Sequence, residues 1–558
     1  MPSQPLLDPS YLSSAMHDLN AGAQWLAGAS LASLRELVDA CSLGVVSVSK
    51  DWVRAGCAAK RIEFDQPIAA EEILAGPSAV LRYLRVLSLV MKTVERDGQP
   101  RLPCKPRTNL QGQLCVPVLP VDSLFDRLTF PGMKAEVWRK AGESNSELFT
   151  SMWNPSSSGA KIAGVLGAGN VSSIPATDTL YKIFHDRQAV LLKLNPVNDY
   201  LEPFFNDAFR PLINANLLRI VCGGADVGEA IVNNASIASL HLTGSHLTHD
   251  AIVWGRDPED RAARLRENRP LVTKPVTSEL GNVSPWIVVP GKYTAGQLRS
   301  QAEHIVASIT NNASFNCLAT KMIVTSRAWP QRTEFLDLIE SLFSRIPQRF
   351  AYYPGARERF ARAIGRPSPD ASDGSLPWTL IRDAKRTERP QLFDEESFVC
   401  VCAETQLQDS ESVAFLEAAV DFVNNHLFGT LCATLTLPGD FRRGSMAAVD
   451  RALAKLRYGT VCINQWSGVS YGLMTPPWGG YPGATIAKPV SGIGHVHNTF
   501  CISEIDKAVL WGPLSNFPKP AWFPTNRTAD QTAWALLELY ERPSLARLPK
   551  LFYHALRG

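Results

Sequence analysis

An α/β fold with two parallel-sheet domains is predicted by three observations. Short apolar runs alternate with helical segments from Lys161 onward. Most of these runs are too short for a helix and end in polar or glycine-containing turns. The alternation also continues past residue 279, in a chain of 558 residues that is too long for one core.

Residues 1–150 read as a mostly helical N-terminal region, with apolar residues at helical spacing over 31–46 and 80–94. Between 99 and 121 Pro and Gly are frequent and periodicity is weak, which suggests a linker or irregular crossover. A first domain, 151–278, opens with an apolar strand over 161–166 that ends in Gly167-Ala168-Gly169-Asn170. A helix over 177–185, a strand over 189–194 and a helix over 200–215 follow. The domain continues with a strand over 218–222, a helix over 228–233 and a strand over 239–243. This order implies βαβ units, whose parallel sheets bind dinucleotides at the carboxyl ends of the strands. The second domain, 279–474, has strands expected over 286–289, 321–324, 398–402 and 430–437. Residues 475–510 are expected to return to the first domain. The stretch 365–383 reads as a surface excursion. The C-terminal extension, 511–558, begins Pro-rich and aromatic and turns helical from Thr528.

Composition narrows the function classes. Hydrophobic residues make up 45% and charged residues 20%, and the net charge is +3. There is no basic cluster of the kind that binds nucleic acid. No stretch reaches the roughly 18 uninterrupted apolar residues of a membrane span. Residues 1–10 lack the basic start and apolar run of a secretory signal. The eleven cysteines are scattered. Cys400 and Cys402 are expected to point the same way along an alternating strand, without the neighbours a metal site needs. Reduced thiols and a cytoplasmic protein are expected.

Cys317 differs from the other cysteines in its setting. It follows the polar turn Asn311-Asn312-Ala313-Ser314-Phe315-Asn316 and precedes an apolar strand. A thiol at such a junction can be held rigidly and still face a cleft, where it needs a dipole or base to become a nucleophile. Glu279, 38 residues earlier in Ser278-Glu279-Leu280-Gly281-Asn282, is the candidate base. Apolar surroundings raise a carboxyl pKa toward the range useful for proton transfer.

These two motifs, in this order, resemble the aldehyde dehydrogenase superfamily, with anchors from Lys161 to Asn498. The resemblance implies an aldehyde dehydrogenase-like fold with a cofactor-binding and a catalytic domain. Asn170 is then the amide that stabilises the oxyanion, although Gly169 stands where the family usually has an aromatic residue. On its own, Asn170 would read as a helix cap. Lys193 is implied to reach the adenosine ribose of the cofactor. Pro196 stands where NAD-preferring members often carry Glu, so NAD or NADP is expected. Gly244 and Ser245 resemble the turn beneath the pyrophosphate, with His249 in place of the family's second glycine. Glu396 and Phe398 resemble the pair that binds the nicotinamide ribose and packs by the ring, with Val399-Cys400 in place of the usual Gly-Pro. Trp466 and Trp478 are expected near the cleft.

The implied reaction is NAD(P)-dependent oxidation of an aldehyde to a carboxylic acid through a Cys317 thiohemiacetal and thioester, with Glu279 activating water. A homo-oligomer is implied too, and no metal. Two alternatives stand beside it. Gly169-Asn170-Val171 and Gly244-Ser245 also resemble the fatty acyl-CoA reductase branch, although coenzyme A-using members often lack the base Glu. The departures at Gly169, Pro196, His249 and Val399 would also suit a non-catalytic scaffold.

Overall fold

Runs that are apolar on both faces can be buried only inside a layered sheet, and here they form two. A computed structural model describes residues 9–122, 124–143, 147–150, 159–409 and 411–558. The expected boundary at 150/151 and most of residues 1–10 lie outside the described residues. The smaller sheet runs in the order Gly492–Ile493, Val276–Leu280, Ser239–Gly244, Ile162–Leu166, Ala189–Lys193, Leu218–Val221. All neighbours are parallel except Gly492–Ile493, which pairs antiparallel with Val276–Leu280. Every residue of Ile162–Leu166 and Ala189–Lys193 is buried. The register sets Leu166 beside Lys193 and Thr243 beside Glu279. Lys193, Gly244 and Glu279 therefore lie at the carboxyl edge of this sheet.

The larger sheet has ten strands: Arg107–Thr108, Leu114–Leu119, Lys134–Arg139, Ile505–Trp511, Thr460–Ile463, Cys432–Thr436, Ser284–Val288, Thr320–Ser326, Val401–Leu407 and Thr379–Ile381. From Ile505–Trp511 onward the pairing is parallel, and before it antiparallel. The fold class is thus α/β with two parallel-sheet layers, as the sequence predicts, plus an antiparallel margin that it does not. That margin uses the stretch expected to be a linker. Pro117 hides the strand in the sequence and sits where the register shifts between Pro117 and Leu119, as a proline that cannot donate to a ladder should.

Other expectations shift locally. The helix over 200–215 breaks into Asp199–Leu201, Glu202–Ala208 and Arg210–Asn214, with Pro203 and Pro211 near the starts of the last two pieces. The strand expected over 398–402 runs over Val401–Leu407, because Phe398 takes a left-handed φ of 46° and ends the preceding turn. Cys400 accordingly lies before the strand and packs in a different apolar cluster from Cys402. Residues 475–510 divide between the layers: Gly492–Ile493 joins the smaller sheet, and Ile505–Trp511 the larger.

The N-terminal helices Leu31–Ala59 and Pro77–Asp97 pack on the smaller sheet, sharing a core with Leu180, Val190 and Phe205. The run Pro67–Asp97 is long and apolar enough to cross a membrane by length and composition, and 78% of its most apolar window is buried within the protein. Arg82 on it makes a two-pronged ion pair with Asp126, at 2.5 and 3.0 Å. The C-terminal helix Ala529–Glu541 adds to the same core through Ala533 and Leu537.

Candidate active site

Where the two sheets meet, a cavity of about 1070 Å³ is lined by Asn170, Lys193, Gly244, Ser245, Glu279, Cys317, Glu396 and Phe398. All eight site residues proposed from the sequence thus share one space. Glu279 ends the strand Val276–Leu280 and is 5% exposed. Its carboxyl and the Cys317 thiol are close enough to shift each other's ionisation. Burial pushes the Glu279 pKa up to about 8, despite the opposing thiol contact. Burial also lifts the thiol well above its ordinary value, and the carboxylates of Glu279 and Glu396 add to this. The resting pair is therefore a neutral thiol beside a weakly acidic carboxyl. Glu279 Oε1 is buried and has no partner within the chain, so it is free to take a proton or hold a water.

The turn before Cys317 is wound left-handed. Asn312, Ala313 and Ser314 have φ of 53°, 53° and 70°, a region that non-glycine residues occupy at a cost of order 1–3 kcal/mol each. Side chains hold it there. Asn312 Nδ2 donates to the carbonyls of Asn170 at 2.9 Å and Phe315 at 3.1 Å. Asn312 Oδ1 accepts from Lys60 Nζ and from the Tyr352 hydroxyl, both at 2.9 Å. Lys321 Nζ donates to Ser314 Oγ at 2.8 Å. Asn170 Nδ2 donates to the Phe315 carbonyl at 2.9 Å, which leaves its second N–H uncommitted there.

Also in the lining, Lys193 closes its strand and is 9% exposed, and burial lowers its pKa. Its ammonium donates to the Leu194 carbonyl at 3.2 Å. Gly244 ends the strand Ser239–Gly244, and Ser245 caps the helix His246–Val253 by accepting from Thr248 N at 3.2 Å. His249 is fully buried and does not line the cavity. Gly169 also has a structural reason: a Cβ there would lie 2.6 Å from Asn195 Oδ1. The Asn195 side chain occupies the space that a larger residue at 169 would need.

The aldehyde dehydrogenase family model matches residues 203–344. Betaine aldehyde dehydrogenase from Staphylococcus aureus, solved as a point mutant with NAD+, aligns with a TM-score of 0.58 at 13% identity, over 90% of this chain and 89% of that one. Aldehyde dehydrogenase 21 from Physcomitrella patens, solved with the reaction product succinate, gives 0.59 at 13% identity, over 91% of each chain. The fold is that of the aldehyde dehydrogenase superfamily. Glyceraldehyde-3-phosphate dehydrogenase from Methanocaldococcus jannaschii, complexed with NADP, aligns at 0.56 and 13% identity, over 91% of this chain and 96% of that one. A search of curated proteins gave no match.

Within this superfamily fold, the structure surrounds Glu396 and Phe398 with residues that the sequence did not point out. Glu396 abuts Gly281 so closely that a Cβ at 281 would lie 1.8 Å from Glu396 Oε2. Burial raises the Glu396 pKa to about 7, against the pull of the Lys321 and Arg359 charges. Its Oε1 is buried and lacks a partner within the chain. Phe398 packs edge-on to Tyr353 with centroids 5.2 Å apart, and the Arg359 guanidinium lies 5.8 Å from its ring. Lys60, Asn312, Lys321 and Arg359 carried no local motif. Only the polar density of 311–316 hinted that this turn is built with care. Among the described residues, no group of three or more His, Cys, Asp or Glu gathers as a metal site.

Proposed function

We propose that the protein oxidises an aldehyde to a carboxylic acid with NAD or NADP. The observation that carries this reading is the cavity shared by Cys317, the buried Glu279 carboxyl, Asn170 and Lys193, with thiol and carboxyl near enough to shift each other's ionisation. In this reading the thiol sulfur attacks the aldehyde carbon, and its proton passes to ionised Glu279. The second N–H of Asn170 faces the oxyanion, where a prepositioned donor is worth most. Glu279 gives that proton up to solvent; after oxidation it takes a proton from the attacking water and passes it to the departing Cys317 sulfur, which releases the acid.

The cavity suits a nicotinamide dinucleotide on three counts. Its volume is about 1070 Å³. Lys193 and the start of the helix His246–Val253 supply donors at one end. At the other end, Glu396 Oε1 is an unpartnered acceptor for ribose hydroxyls. The bound nicotinamide supplies the hydride acceptor. Pro196 in the lining brings no carboxylate to repel a 2′-phosphate, which keeps both NAD and NADP open to the protein.

The test is the rise of reduced nicotinamide over a panel of short, aromatic and long-chain aldehydes, with either cofactor, for wild type, Cys317→Ala and Glu279→Gln. Turnover abolished in the first variant and strongly reduced in the second is expected. Turnover only with coenzyme A or an acyl-CoA would replace this reading with a reductase, and no turnover together with no cofactor binding would point to a scaffold.

A further inference from the structure

Lys321 stands in the strand Thr320–Ser326, every residue of which is buried, and is itself 4% exposed. A lysine in such a place needs a reason, because burial works against an ammonium. Burial lowers its pKa, with the Glu396 charge opposing. Its three N–H groups meet three acceptors. Lys321 Nζ donates to the Ser314 hydroxyl at 2.8 Å, to the Ser314 carbonyl at 3.3 Å and to the Val399 carbonyl at 2.7 Å.

Those acceptors belong to two different turns. Ser314 lies in the left-handed turn, three residues before Cys317. Val399 follows Glu396, Ser397 and Phe398, and Phe398 also has a left-handed φ, of 46°. Non-glycine residues keep such φ values only where their surroundings over-determine them. One ammonium braces both turns. They also meet through their rings: the centroids of Phe315 and Phe398 are 5.9 Å apart, and Tyr353 contacts each, at 5.7 and 5.2 Å. The Lys321 charge acts on the second turn as well. With Arg359, it draws the Glu396 carboxyl toward its ionised form against the effect of burial.

We propose that Lys321 is a positioning residue for the reaction: it braces the turn that carries Cys317 against the loop that carries Glu396 and Phe398, and so fixes the thiol relative to the nicotinamide ring. This rests on the aldehyde-oxidising reading above. Ser314 is one arm of the brace and Val399 the other, so the lysine acts through its neighbours.

The experiment compares wild type with Lys321→Met, Ser314→Ala and the double variant. The readouts are melting temperature, cofactor Kd by fluorescence titration, the rate at which iodoacetamide alkylates Cys317, and kcat on the aldehyde that wild type oxidises fastest. Methionine keeps the reach of the side chain and removes the charge. Lys321→Met should lower kcat by about 100-fold through misplacement of the reacting groups. Its cofactor Kd should rise about tenfold, because Glu396 loses a charge that keeps it ionised. Ser314→Ala cuts one arm alone, so kcat should fall about tenfold with cofactor Kd unchanged. In both, alkylation of Cys317 should be about fivefold faster as the turn loosens. The double variant should have the kcat of Lys321→Met, since both changes break the same brace.

A lysine that serves stability alone would lower the melting temperature and leave kcat and Kd of the folded protein at wild-type values, which would overturn the proposal. Losses in kcat that multiply in the double variant would overturn it as well. If Lys321→Met does not fold, Ser314→Ala is the test, and wild-type kcat and alkylation in that variant would remove the brace. Aldehyde oxidised alike by wild type and all variants would overturn the brace and leave the oxidation standing. Shifts in Kd and alkylation in a protein that binds cofactor but oxidises no aldehyde would uphold the brace and overturn the oxidation. No cofactor binding by wild type would overturn both.

Discussion

Asn312 Nδ2 donates to the backbone carbonyl of Asn170 at 2.9 Å, across 142 residues of chain. Together with the bond from Asn170 Nδ2 to the Phe315 carbonyl, this bond ties the turn of Asn170 to the turn that carries the thiol. These bonds join the two sheets beside Cys317.

Asn312→Gly tests this. Glycine adopts the left-handed φ of 53° without strain, so the backbone is relieved while the side-chain bonds are lost. We expect kcat to fall by about 100-fold, the cost of a small misplacement of reacting groups. Cofactor affinity, read by fluorescence titration, should stay close to wild type. An unchanged kcat would show that the turn holds its shape without Asn312.

Lys60 pairs with Glu72 at 2.7 Å, both within 5% exposure. Burial works against the Lys60 charge, but Glu72, helped by Tyr200 and Glu71, holds the pKa above its ordinary value. Lys60→Met leaves Glu72 buried and unpaired, which should cost about 3–5 kcal/mol. Lys60→Met combined with Glu72→Gln should recover much of that loss in urea unfolding. Equal losses in the single and double variants would contradict the pairing.

Glu279 predicts a pH profile. Its folded pKa of about 8 lies above the ordinary 4.5, and the base works only when ionised, so kcat/KM should rise with pH through about 8. The stability effect has the opposite sense. The folded state binds the proton more tightly than the unfolded chain, so the stability it contributes is full below about 4.5 and is lost as pH rises through about 8. Glu279→Gln should flatten the kinetic rise and lift the melting temperature more at pH 9 than at pH 5. A profile that is flat in wild type between pH 6 and 9 would remove Glu279 from the role of base.

The thiol gives an independent readout. Alkylation of Cys317 by iodoacetamide at pH 7 should be far slower than that of Cys104, the exposed cysteine among the described residues, because burial and two carboxylates hold the thiol protonated. Glu279→Gln removes one of those carboxylates and should speed the reaction, as followed by peptide mass spectrometry.

Gly281→Ala would place a Cβ 1.8 Å from Glu396 Oε2. The carboxylate must then swing away, so the KM for the nicotinamide cofactor should rise about tenfold, as expected for a lost charge-assisted hydrogen bond. The KM for aldehyde should change much less.

What the sequence disclosed follows from how far each signal reaches. The parallel strands were legible because burial on both faces leaves an unbroken apolar run, as in Ala189–Lys193. Cys317 and Glu279 were legible because each sits in a short motif. Lys60 was not, since its partner Asn312 lies 252 residues away and the lysine itself ends an ordinary helix. The strand Leu114–Leu119 was masked by its proline and its glycine-containing flanks. Gly169 read as a departure until the Asn195 side chain was seen to fill the space beside it. The aromatic tail could not be assigned either, because nothing local says that Trp522 lines a cavity.

The position of Ile505–Trp511, between Lys134–Arg139 and Thr460–Ile463, bears on the birth of the protein. Arg139 pairs with Ile505, made 366 residues later. At ribosomal speed that is a wait on the order of 20–70 s. During it, three finished strands have an open edge and no partner, and such an edge invites pairing with another chain. Early on the ribosome, the antiparallel margin is therefore the part of this molecule most in need of a chaperone.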